Sequence, residues 1–306
     1  MSDEKFPPVG LITVWYRAGR DIERFASNLE ALRYPNLQPT FVMNALEKHE
    51  RALLESLVPD ALVVDPGENL GCSAGWNRAI RLLLERETAF VGIWNVDVRV
   101  DPEYLRRLVG VMQEDQSIGA CAPLLLYSHD PKRIQVYGGA MDVETGRALH
   151  EYDGWTDVCH LPAVRDARYL DGGTMLMRAQ ALQRVGAFDE RYFMYYEDAD
   201  LCLRMQSAGY RTVAVRDARA WHYQRELRGV LPAPHQLFYE TRNRFYFVRK
   251  HAGVVAWRRL VTRTVLEMPG RTIHYLRLRR ATLARAYLSG CLFGVLGWMG
   301  KRGWVE

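Results

Sequence analysis

The sequence predicts an α/β protein, with a mostly parallel sheet flanked by helices and followed by a helical C-terminal extension. The main observation is that short apolar runs alternate with amphipathic helical patterns over about the first hundred residues, which is typical of β-α units. The alternation is interrupted near residues 116–170 and then resumes. A length of 306 residues and a hydrophobic content of 48% allow one large domain or two smaller ones.

The predicted elements follow one another in a regular order. Strands are predicted at residues 9–15, 39–44, 61–65, 89–98, 117–127, 172–178 and 211–215. Helices are predicted at residues 21–33, 47–57, 71–87, 179–185 and 197–209. Turn signals at Gly138-Gly139 and Thr145-Gly146 predict hairpins and loops between residues 134 and 155. In an open sheet of this kind a ligand lies beyond the carboxyl ends of the strands, so polar residues at those ends are candidates for function.

The cysteines and the N-terminus favour a reducing, cytosolic setting. The five cysteines are an odd number and contain no CxxC pair, so neither a disulfide framework nor a zinc site is expected. The first ten residues, MSDEKFPPVG, contain no apolar segment, so no signal peptide is expected.

The charge is unevenly distributed along the chain. Residues 225–306 hold 16 Lys+Arg and 4 Asp+Glu, a balance of +12, which leaves −7 for residues 1–224 out of the total of +5. A basic tail on an acidic body predicts a polyanionic partner, either a membrane surface or a nucleic acid.

A candidate metal site is formed by polar residues at two predicted strand ends. Asn95 and Asp97 close the strand at 89–98, and because they are two residues apart we expect their side chains to point the same way. His222 ends a later strand-like stretch. Carboxylate, amide and imidazole groups suit Mn²⁺ or Mg²⁺, which keep open positions for phosphate oxygens. The competing interpretation is a carboxylate that marks a turn and a histidine that is simply packed.

A candidate catalytic group lies in the acidic cluster of Glu197, Asp198 and Asp200, at the start of a predicted helix. Negative charge at a helix N-terminus is worth about 0.3–1 kcal/mol per group, which explains one or two of the three. The aromatic run at residues 192–196 precedes the cluster and resembles the wall of a sugar-binding cleft. A carboxylate in that setting could act as a general base.

A loop of small residues at 69–77, NLGCSAGWN, opens the helix that follows the third strand. Backbone N–H groups at such a place can face a phosphate. The spacing matches neither GxGxxG nor GxxxxGK[ST], so a dinucleotide site and a P-loop are not predicted.

Taken in order, these segments resemble the family 2 inverting glycosyltransferases of the GT-A fold, particularly the bacterial rhamnosyltransferase-like branch. The resemblance covers about residues 9–250 and implies a Rossmann-like nucleotide-diphospho-sugar transferase fold. The segments that carry it are 13–17 (TVWYR), 69–77, 95–97 (NVD), 172–178 (GGTMLMR), 185–190 (VGAFDE), 193–204 (FMYYEDADLCLR), 208–210 (AGY) and 221–222 (WH).

The resemblance implies a role for each matching residue. Asp97 and His222 would bind a metal that bridges the donor's two phosphates, with Asn95 where the family more often has Asp. Asp198 would be the catalytic base and Glu197 would orient or shield it. Residues implied to line the sugar and acceptor pocket are Asp171, Gly172, Gly173, Tyr195, Tyr196 and Trp221. Residues implied to bind the nucleotide are Thr13, Val14, Tyr16, Arg17, Asn44, Asn69, Gly71 and Asn77.

The resemblance implies transfer of a sugar from a nucleotide-sugar donor, L-rhamnose from dTDP-rhamnose, to a glycan or polyprenyl-linked acceptor of a cell-surface polysaccharide. The second strand departs from the family because it lacks the usual aspartate, with Asn44 or Glu47 as replacement, so UDP- and GDP-sugar donors stay open. A nucleotidyltransferase and a non-catalytic scaffold are the alternatives. The joint presence of Asp97, Asp198 and His222 argues against the scaffold.

The chain is expected to divide into a catalytic domain at 1–230 and a basic, amphipathic helical segment at 231–306. Its arginines and three tryptophans, Trp257, Trp298 and Trp304, favour an anionic membrane surface as partner, which implies a peripheral location on the inner face of the cell membrane. The longest charge-free run, 286–300, is too short to span a membrane. A solvated helical subdomain and a homo-oligomer interface are the alternatives, and no nucleic acid partner is expected because no such motif is present.

Overall fold

The computed structural model describes residues 6–156, 158–223 and 231–303. Its main feature is a ten-stranded twisted sheet. Trp304, one of the predicted membrane-facing tryptophans, lies outside the described residues. The strands are β1 (Val9–Trp15), β2 (Leu37–Met43), β3 (Leu62–Val64), β4 (Phe90–Ile93), β5 (Val98–Val100), β6 (Ile118–Tyr127), β7 (Ile134–Val136), β8 (Ala140–Asp142), β9 (Arg147–Leu149), β10 (Val164–Asp166), β11 (Leu176–Arg178) and β12 (Arg211–His222). The helices are α1 (Ile22–Glu30), α2 (Lys48–Leu57), α3 (Gly71–Glu85), α4 (Tyr104–Glu114), α5 (Ala179–Val185), α6 (Glu197–Ser207), α7 (Pro234–His251), α8 (Gly253–Arg277) and α9 (Ala281–Leu296).

The main path of the sheet has the order β10-β12-β6-β11-β4-β1-β2-β3. β3, β2, β1, β4, β6 and β12 run in one direction, while β11 is antiparallel to both of its neighbours and β10 is antiparallel to β12. Most strands are therefore parallel, as predicted, but the sheet is mixed. β5 and β7 pair with β12 and β6 outside this path, and β8 and β9 form a separate hairpin.

The sheet is buried on both faces because successive strand residues point to opposite sides. Leu11 and Ile12, neighbours in β1, belong to two different hydrophobic clusters, one on each face of the sheet. β6 is buried along its whole length, between β11 and β12. The near-continuous apolar runs in the sequence therefore correspond to strands covered by helices on both sides.

Two predicted strands differ from the structure where the site lies. The strand predicted at 89–98 ends at Ile93 and is followed by a turn and by β5. Asn95 and Asp97 therefore stand on a turn, so strand alternation does not set the direction of their side chains. The segment predicted to resume the alternation at 172–178 is strand only from Leu176, because Gly172–Thr174 form a short 3-10 helix.

The C-terminal helices pack on the domain that carries the sheet. α7, which reads as a basic surface helix in the sequence, buries Phe238, Phe245 and Phe247 completely or nearly so. α9 lies so close to α7 that a Cβ at Gly294 would come within 2.4 Å of the Phe245 ring. No helix in the described ranges is long and apolar enough to cross a membrane.

Candidate active site

A cavity of about 760 Å³ lies between the sheet, α6 and the C-terminal helices. It contains residues from both parts of the predicted site. The predicted residues on its wall are Asn95, Asp97, Asp171, Gly172, Gly173, Tyr195, Tyr196, Glu197, Asp198 and His222. The structure therefore brings together segments that lie more than a hundred residues apart in the chain.

Asp97 and His222 form a pair on one side of the cavity. A ring nitrogen of His222, Nε2, lies 3.1 Å from Asp97 Oδ2, and the other, Nδ1, lies 3.2 Å from Gln135 Oε1. β12 places His222 opposite Val98 of β5, directly after the turn that carries Asp97. The pairing of these two strands is thus what brings the carboxylate to the imidazole.

Each member of the pair stabilises the charged form of the other. Burial alone would raise the pKa of Asp97, but the hydrogen bond and charge of His222 outweigh it and hold this pKa below its ordinary value. Burial alone would lower the pKa of His222, but the hydrogen bond and charge of Asp97 raise it. The site therefore favours an anionic oxygen next to the imidazole.

Gly172 and Gly173 connect the Asp97 side of the cavity to the Asp198 side. The Gly173 carbonyl accepts a hydrogen bond from the backbone N–H of Asn95 at 2.9 Å. The backbone N–H of Gly172 donates to Asp198 Oδ2 at 3.1 Å. A Cβ at Gly172 would lie 3.0 Å from Asp198 Cβ, and one at Gly173 would lie 3.1 Å from Asn95 Nδ2. Any side chain here would crowd both neighbours, so glycine keeps this part of the cavity open.

Asp198 is a half-buried carboxylate held by three donors. The N–H groups of Gly172 and Ala199 donate to it at 3.1 and 2.7 Å, and the hydroxyl of Tyr169 lies 3.4 Å away. Burial, followed by the charge of Asp171, raises the pKa of Asp198 to about 7, against the lowering effect of these hydrogen bonds. A carboxylate with a pKa near neutrality is suited to proton transfer.

Glu197 has a different environment from its neighbour. It is 4% exposed, and its Oε2 atom has no hydrogen-bond partner among the described residues. Burial, and then the charge of Asp198, raise the pKa of Glu197 well above its ordinary value. The surroundings of Glu197 therefore disfavour its charged form.

Asp200, the third acid of the cluster, faces away from the cavity. Its carboxylate contacts Arg204 at 2.7 Å, Lys250 at 2.5 Å and His251 at 2.8 Å. Burial alone would raise the pKa of Asp200, but the hydrogen bond to His251 and the charges of Arg204 and Lys250 hold it below its ordinary value. This acid joins α6 to α7, so one of the three carboxylates serves the fold.

The loop before α6 is strained, and the side-chain amide of one residue binds three of its carbonyls. Phe193, Tyr195 and Tyr196 have positive φ angles of 67°, 67° and 77°, which L-residues rarely adopt. The side-chain nitrogen of Asn243 in α7 donates to the carbonyls of Tyr192, Met194 and Tyr195, at 3.1, 2.7 and 2.8 Å. α7 thereby fixes the direction in which Glu197 and Asp198 enter the cavity.

The loop predicted to bind phosphate, residues 69–77, leads into α3 as expected. Its asparagines do not line the cavity. Asn44 donates to the Gly71 carbonyl at 2.9 Å and accepts from the Leu70 N–H, and Asn69 accepts from the Gly71 N–H. Gly71 has a φ of +75°, and a Cβ there would lie 2.5 Å from the Phe193 carbonyl. These contacts shape the start of α3.

The Asn77 side chain is occupied by structural contacts. Its amide donates to the Phe188 carbonyl at 2.8 Å and to Glu190, and its oxygen accepts from the Phe188 N–H at 2.9 Å. It therefore joins α3 to the segment before α6 and is not on the cavity wall. Thr13, Val14, Tyr16 and Arg17, also predicted to bind the nucleotide, lie at the carboxyl end of β1, beside the cavity rather than in its wall.

Trp221, which was predicted to contact the sugar, is not in the cavity wall. It precedes His222 in β12, and because neighbouring strand residues face opposite sides, it points away from the cavity. The Arg99 guanidinium stacks on its indole ring at 4.1 Å from the centroid.

Several residues in the cavity wall or bonded to it were not predicted from the sequence. Tyr169 and Gln135 bond to the predicted base and the predicted histidine. Cys72 and Trp76 of α3 line the cavity beside them. The last two lie in the quoted loop, so its amphipathic pattern could have indicated that they face the sheet end. Tyr169 lies in an irregular segment, and Gln135 lies in the three-residue strand β7, which is too short to give such a signal.

The donor set on the Asp97 side is compatible with a divalent cation. It consists of one carboxylate and one imidazole that point at each other, with the side chain of Asn95 on the same wall. In the described residues no group of three or more His, Cys, Asp or Glu side chains is arranged to hold a metal. A cation here would need ligands from the substrate, as Mg²⁺ and Mn²⁺ do when phosphates are bound.

A family profile described as "Glycosyltransferase like family 2" matches residues 7–244. The chain belongs to glycosyltransferase family 2. The resemblance on which the sequence analysis rested is confirmed, and this family 2 glycosyltransferase is a transferase enzyme.

Known relatives and solved structures agree with this assignment. An N-acetylglucosaminyl-diphospho-decaprenol L-rhamnosyltransferase of Mycobacterium tuberculosis is 27% identical over 261 residues, 79% of this chain and 85% of that protein. Rhamnosyltransferase WbbL of Escherichia coli is 50% identical over 52 residues, 17% of this chain and 20% of that protein. Mannosyltransferase PcManGT of Pyrobaculum calidifontis, solved with GDP-Man and Mn²⁺, is 16% identical with a TM-score of 0.57, over 96% of this chain and 88% of that one. The structural likeness confirms the GT-A fold class.

Proposed function

We propose that this family 2 glycosyltransferase inverts the anomeric centre of a nucleotide-sugar donor and transfers the sugar to an acceptor hydroxyl, with a divalent cation. One observation supports this most strongly. Asp97 with His222, and Asp198, line a single cavity and are separated by the Gly172–Gly173 segment. Inversion needs a base on the side of the sugar opposite the leaving group. Proton removal and stabilisation of the leaving diphosphate must therefore take place at separate positions in one cleft.

Asp198 is the proposed base. Its carboxylate would take the proton of the acceptor hydroxyl as that oxygen attacks the anomeric carbon and the bond to the donor phosphate breaks. Gly172 and Ala199 hold the carboxylate in place, and the buried Glu197 beside it would limit access of water. The raised pKa makes Asp198 a stronger proton acceptor than an exposed aspartate.

Asp97 and His222 would hold the cation, with Asn95 beside them. When bound, Mn²⁺ or Mg²⁺ supplies a Lewis acid that neutralises the charge developing on the leaving diphosphate. Asp171, whose charge acts on both His222 and Asp198, would order the sugar between the two sides.

The proposed donor is dTDP-rhamnose and the proposed acceptor is a lipid-linked, cell-surface oligosaccharide. Support comes from the two relatives, both of which are named rhamnosyltransferases, one of them acting on a diphospho-decaprenol acceptor. UDP- and GDP-sugars are the competing donors. A thermal-shift screen of dTDP-rhamnose, UDP-sugars and GDP-sugars, each with and without Mn²⁺, distinguishes them, because a bound ligand raises Tm.

Replacing the base tests the mechanism. We expect Asp198→Asn to reduce kcat by about 10²-fold or more while donor affinity stays nearly unchanged, because only proton removal is lost. Steady-state kinetics and donor titration measure the two quantities.

Asp166→Asn is the matched control, since this exposed carboxylate pairs with Arg211 far from the cavity. It should retain wild-type kcat. An active Asp198→Asn enzyme would exclude the assignment of the base.

We also propose that α8 contacts an anionic membrane surface. Val255 and Leu266 are 60% and 77% exposed, and Arg258 and Arg259 lie on the same stretch of helix. Apolar side chains next to arginines match the acyl and anionic layers of a membrane surface.

A further inference from the structure

Three arginines from three different elements meet on the wall of the active-site cavity. Arg147 belongs to β9, Arg244 to α7 and Arg271 to α8, and all three line the cavity that contains Asp198. They come from segments that are far apart in the chain, so their proximity follows from tertiary packing. No role was assigned to them by the sequence or by the mechanism proposed above.

The positive charges of this cluster repel one another. Burial lowers the pKa of the Arg244 guanidinium below its ordinary value, and the charges of Arg147 and Arg271 lower this pKa further. Like charges held together in a partly buried place cost free energy unless an anion lies between them. The cluster therefore favours the binding of an anion.

Acidic residues nearby compensate this charge only in part. Glu267 pairs with Arg263 at 2.7 Å and with Arg271 at 3.6 Å. Glu240 receives a hydrogen bond from Gln236, and burial raises its pKa.

Two members of the cluster have donors available. The Arg147 guanidinium makes no hydrogen bond or ion pair with any residue in the described part of the chain, although its charge acts on Glu267. Arg244 uses its Nε atom to donate to the Thr145 carbonyl, at 2.5 Å. Its two terminal nitrogens are left for a ligand among the contacts of the described residues.

The cluster lies next to the loop that precedes α6: a Cβ at Gly146, the residue before Arg147, would lie 2.9 Å from Arg244 Cγ. Tyr196 of that loop, which directly precedes Glu197, donates its hydroxyl to the Gly146 carbonyl at 2.6 Å, and the charges of Arg244 and Arg147 act on it. The charged groups that act most on Asp97 are instead His222 and Arg24. A donor diphosphate at the Asp97 side would therefore not occupy the arginine cluster.

We propose that Arg147, Arg244 and Arg271 form an acceptor subsite for the diphosphate group of a lipid-linked sugar. The inference rests on the proposed function and deepens it. In such an acceptor the diphosphate is attached at the anomeric carbon and the accepting hydroxyl lies elsewhere on the same sugar, so a proposed base and an anion site that line one cavity match the molecule. Guanidinium groups bind phosphate oxygens through paired hydrogen bonds, which suits this chemistry.

A binding assay tests the subsite without requiring sugar transfer. Farnesyl diphosphate is titrated in EDTA, with no nucleotide, so that the cation site cannot contribute. We expect the wild-type protein to bind it, and Arg147→Gln and Arg271→Gln each to weaken binding by about tenfold, the loss of one charge-assisted contact. Both side chains are exposed at the surface of the cavity, so the variants should fold.

The controls separate charge from other effects. Arg277→Gln, on the same helix α8 but away from the cavity wall, should bind farnesyl diphosphate like the wild type. Arg147→Lys should recover part of the affinity, and farnesol should bind far more weakly than its diphosphate. Equal binding by the wild type and the two glutamine variants, or no binding by the wild type, would overturn the proposal.

A membrane phospholipid offers the same phosphate chemistry and is distinguished with vesicles. The wild type should sediment with phosphatidylglycerol vesicles that contain no diphosphate lipid. The Arg147→Gln and Arg271→Gln variants should sediment with them to the same extent. If the variants no longer sediment with the vesicles but still bind farnesyl diphosphate, the arginines bind phospholipid headgroups, and the proposed subsite is overturned. Failure of the proposed reaction would instead show as absent transfer with normal farnesyl diphosphate binding.

Discussion

Two adjacent carboxyl groups, Glu197 and Asp198, have different chemistry because of what surrounds them. Glu197 has a buried oxygen without a described partner, whereas Asp198 accepts two backbone N–H groups that stabilise its charge. The sequence shows only two acids at a helix start. The Gly172 N–H that favours the charged form of Asp198 lies twenty-five residues earlier in the chain than Glu197, so this difference could not be predicted from the local pattern.

The raised pKa of Asp198 predicts the pH dependence of the reaction. As the proposed base, Asp198 must be ionised to accept a proton, so we expect the active form to be lost as pH falls through about 7, the folded-state pKa. We expect kcat/KM to rise with pH up to about 7 and to level off above it. A pH-rate profile measures this, and an acidic limb near pH 4 would contradict it.

The same shift has a consequence for stability. Because the folded-state pKa of Asp198 is raised above that of the unfolded chain, its contribution favours folding at low pH and is lost as pH rises through about 7. Ionisation of Asp198, the proposed base, therefore lowers the free energy of unfolding.

His222 is the residue with which to test the cation site. We expect His222→Ala to weaken Mn²⁺-dependent donor binding, because one ligand of the pair with Asp97 is removed. Donor titration over a range of Mn²⁺ concentrations measures the effect. His129→Ala, on the loop after β6, is a control that should change nothing, and an unchanged Mn²⁺ requirement in His222→Ala would count against this ligand.

At the scale of the elements, the strained loop at residues 192–196 depends on α7. The sequence predicts the acidic helix and the aromatic run before it. It does not predict the clamp, because Asn243 lies among arginines and phenylalanines that read as an exposed basic helix. Arg242 is fully buried, and its guanidinium donates to the Tyr192 carbonyl at 2.8 Å. A buried arginine cannot be told from a solvated one by its position in the sequence.

Removal of the clamp should release this strain. We expect Asn243→Ala to lower the free energy of unfolding by about 1–3 kcal/mol, since the carbonyls of Met194 and Tyr195 lose this donor and that of Tyr192 keeps only Arg242. It should also lower kcat more than it raises the donor KM, because Asp198 loses its fixed position while the Asp97 side is untouched.

Thermal unfolding and steady-state kinetics measure the two effects. Asn36→Ala provides the control, since this exposed amide makes one bond to Phe6. A stable Asn243→Ala protein with wild-type kcat would show that the loop keeps its shape without the clamp.

For the whole molecule, the alternation of apolar runs predicted the sheet, and the resemblance predicted which strand ends meet. The pairing of β5 with β12, which brings Asp97 to His222, is a long-range contact that no local pattern records. The division at residues 230 and 231 stays a prediction. α7 nevertheless supplies both a clamp and part of the cavity wall, so residues after 231 take part in building the site.

Membrane association is tested with single substitutions on α8. Deleting everything after about residue 250 would uncover α7, whose phenylalanines pack against α9. We therefore expect Leu266→Glu and Val255→Glu to reduce sedimentation with phosphatidylglycerol vesicles, because a charge replaces an exposed apolar side chain. Leu57 on α2 has an exposed fraction of 45%, so Leu57→Glu is the matched control. Full retention of both α8 variants on the vesicles would refute this surface.

The Asn243 clamp also has a consequence for biosynthesis. A ribosome delivers the sheet strands first, and Asp97 with them, yet the loop before the proposed base lacks its Asn243 hydrogen bonds until α7 has emerged. α7 itself is completed by packing of α9, whose chain leaves the exit tunnel later still. Nascent chains should therefore gain a folded sheet well before they gain a competent catalyst.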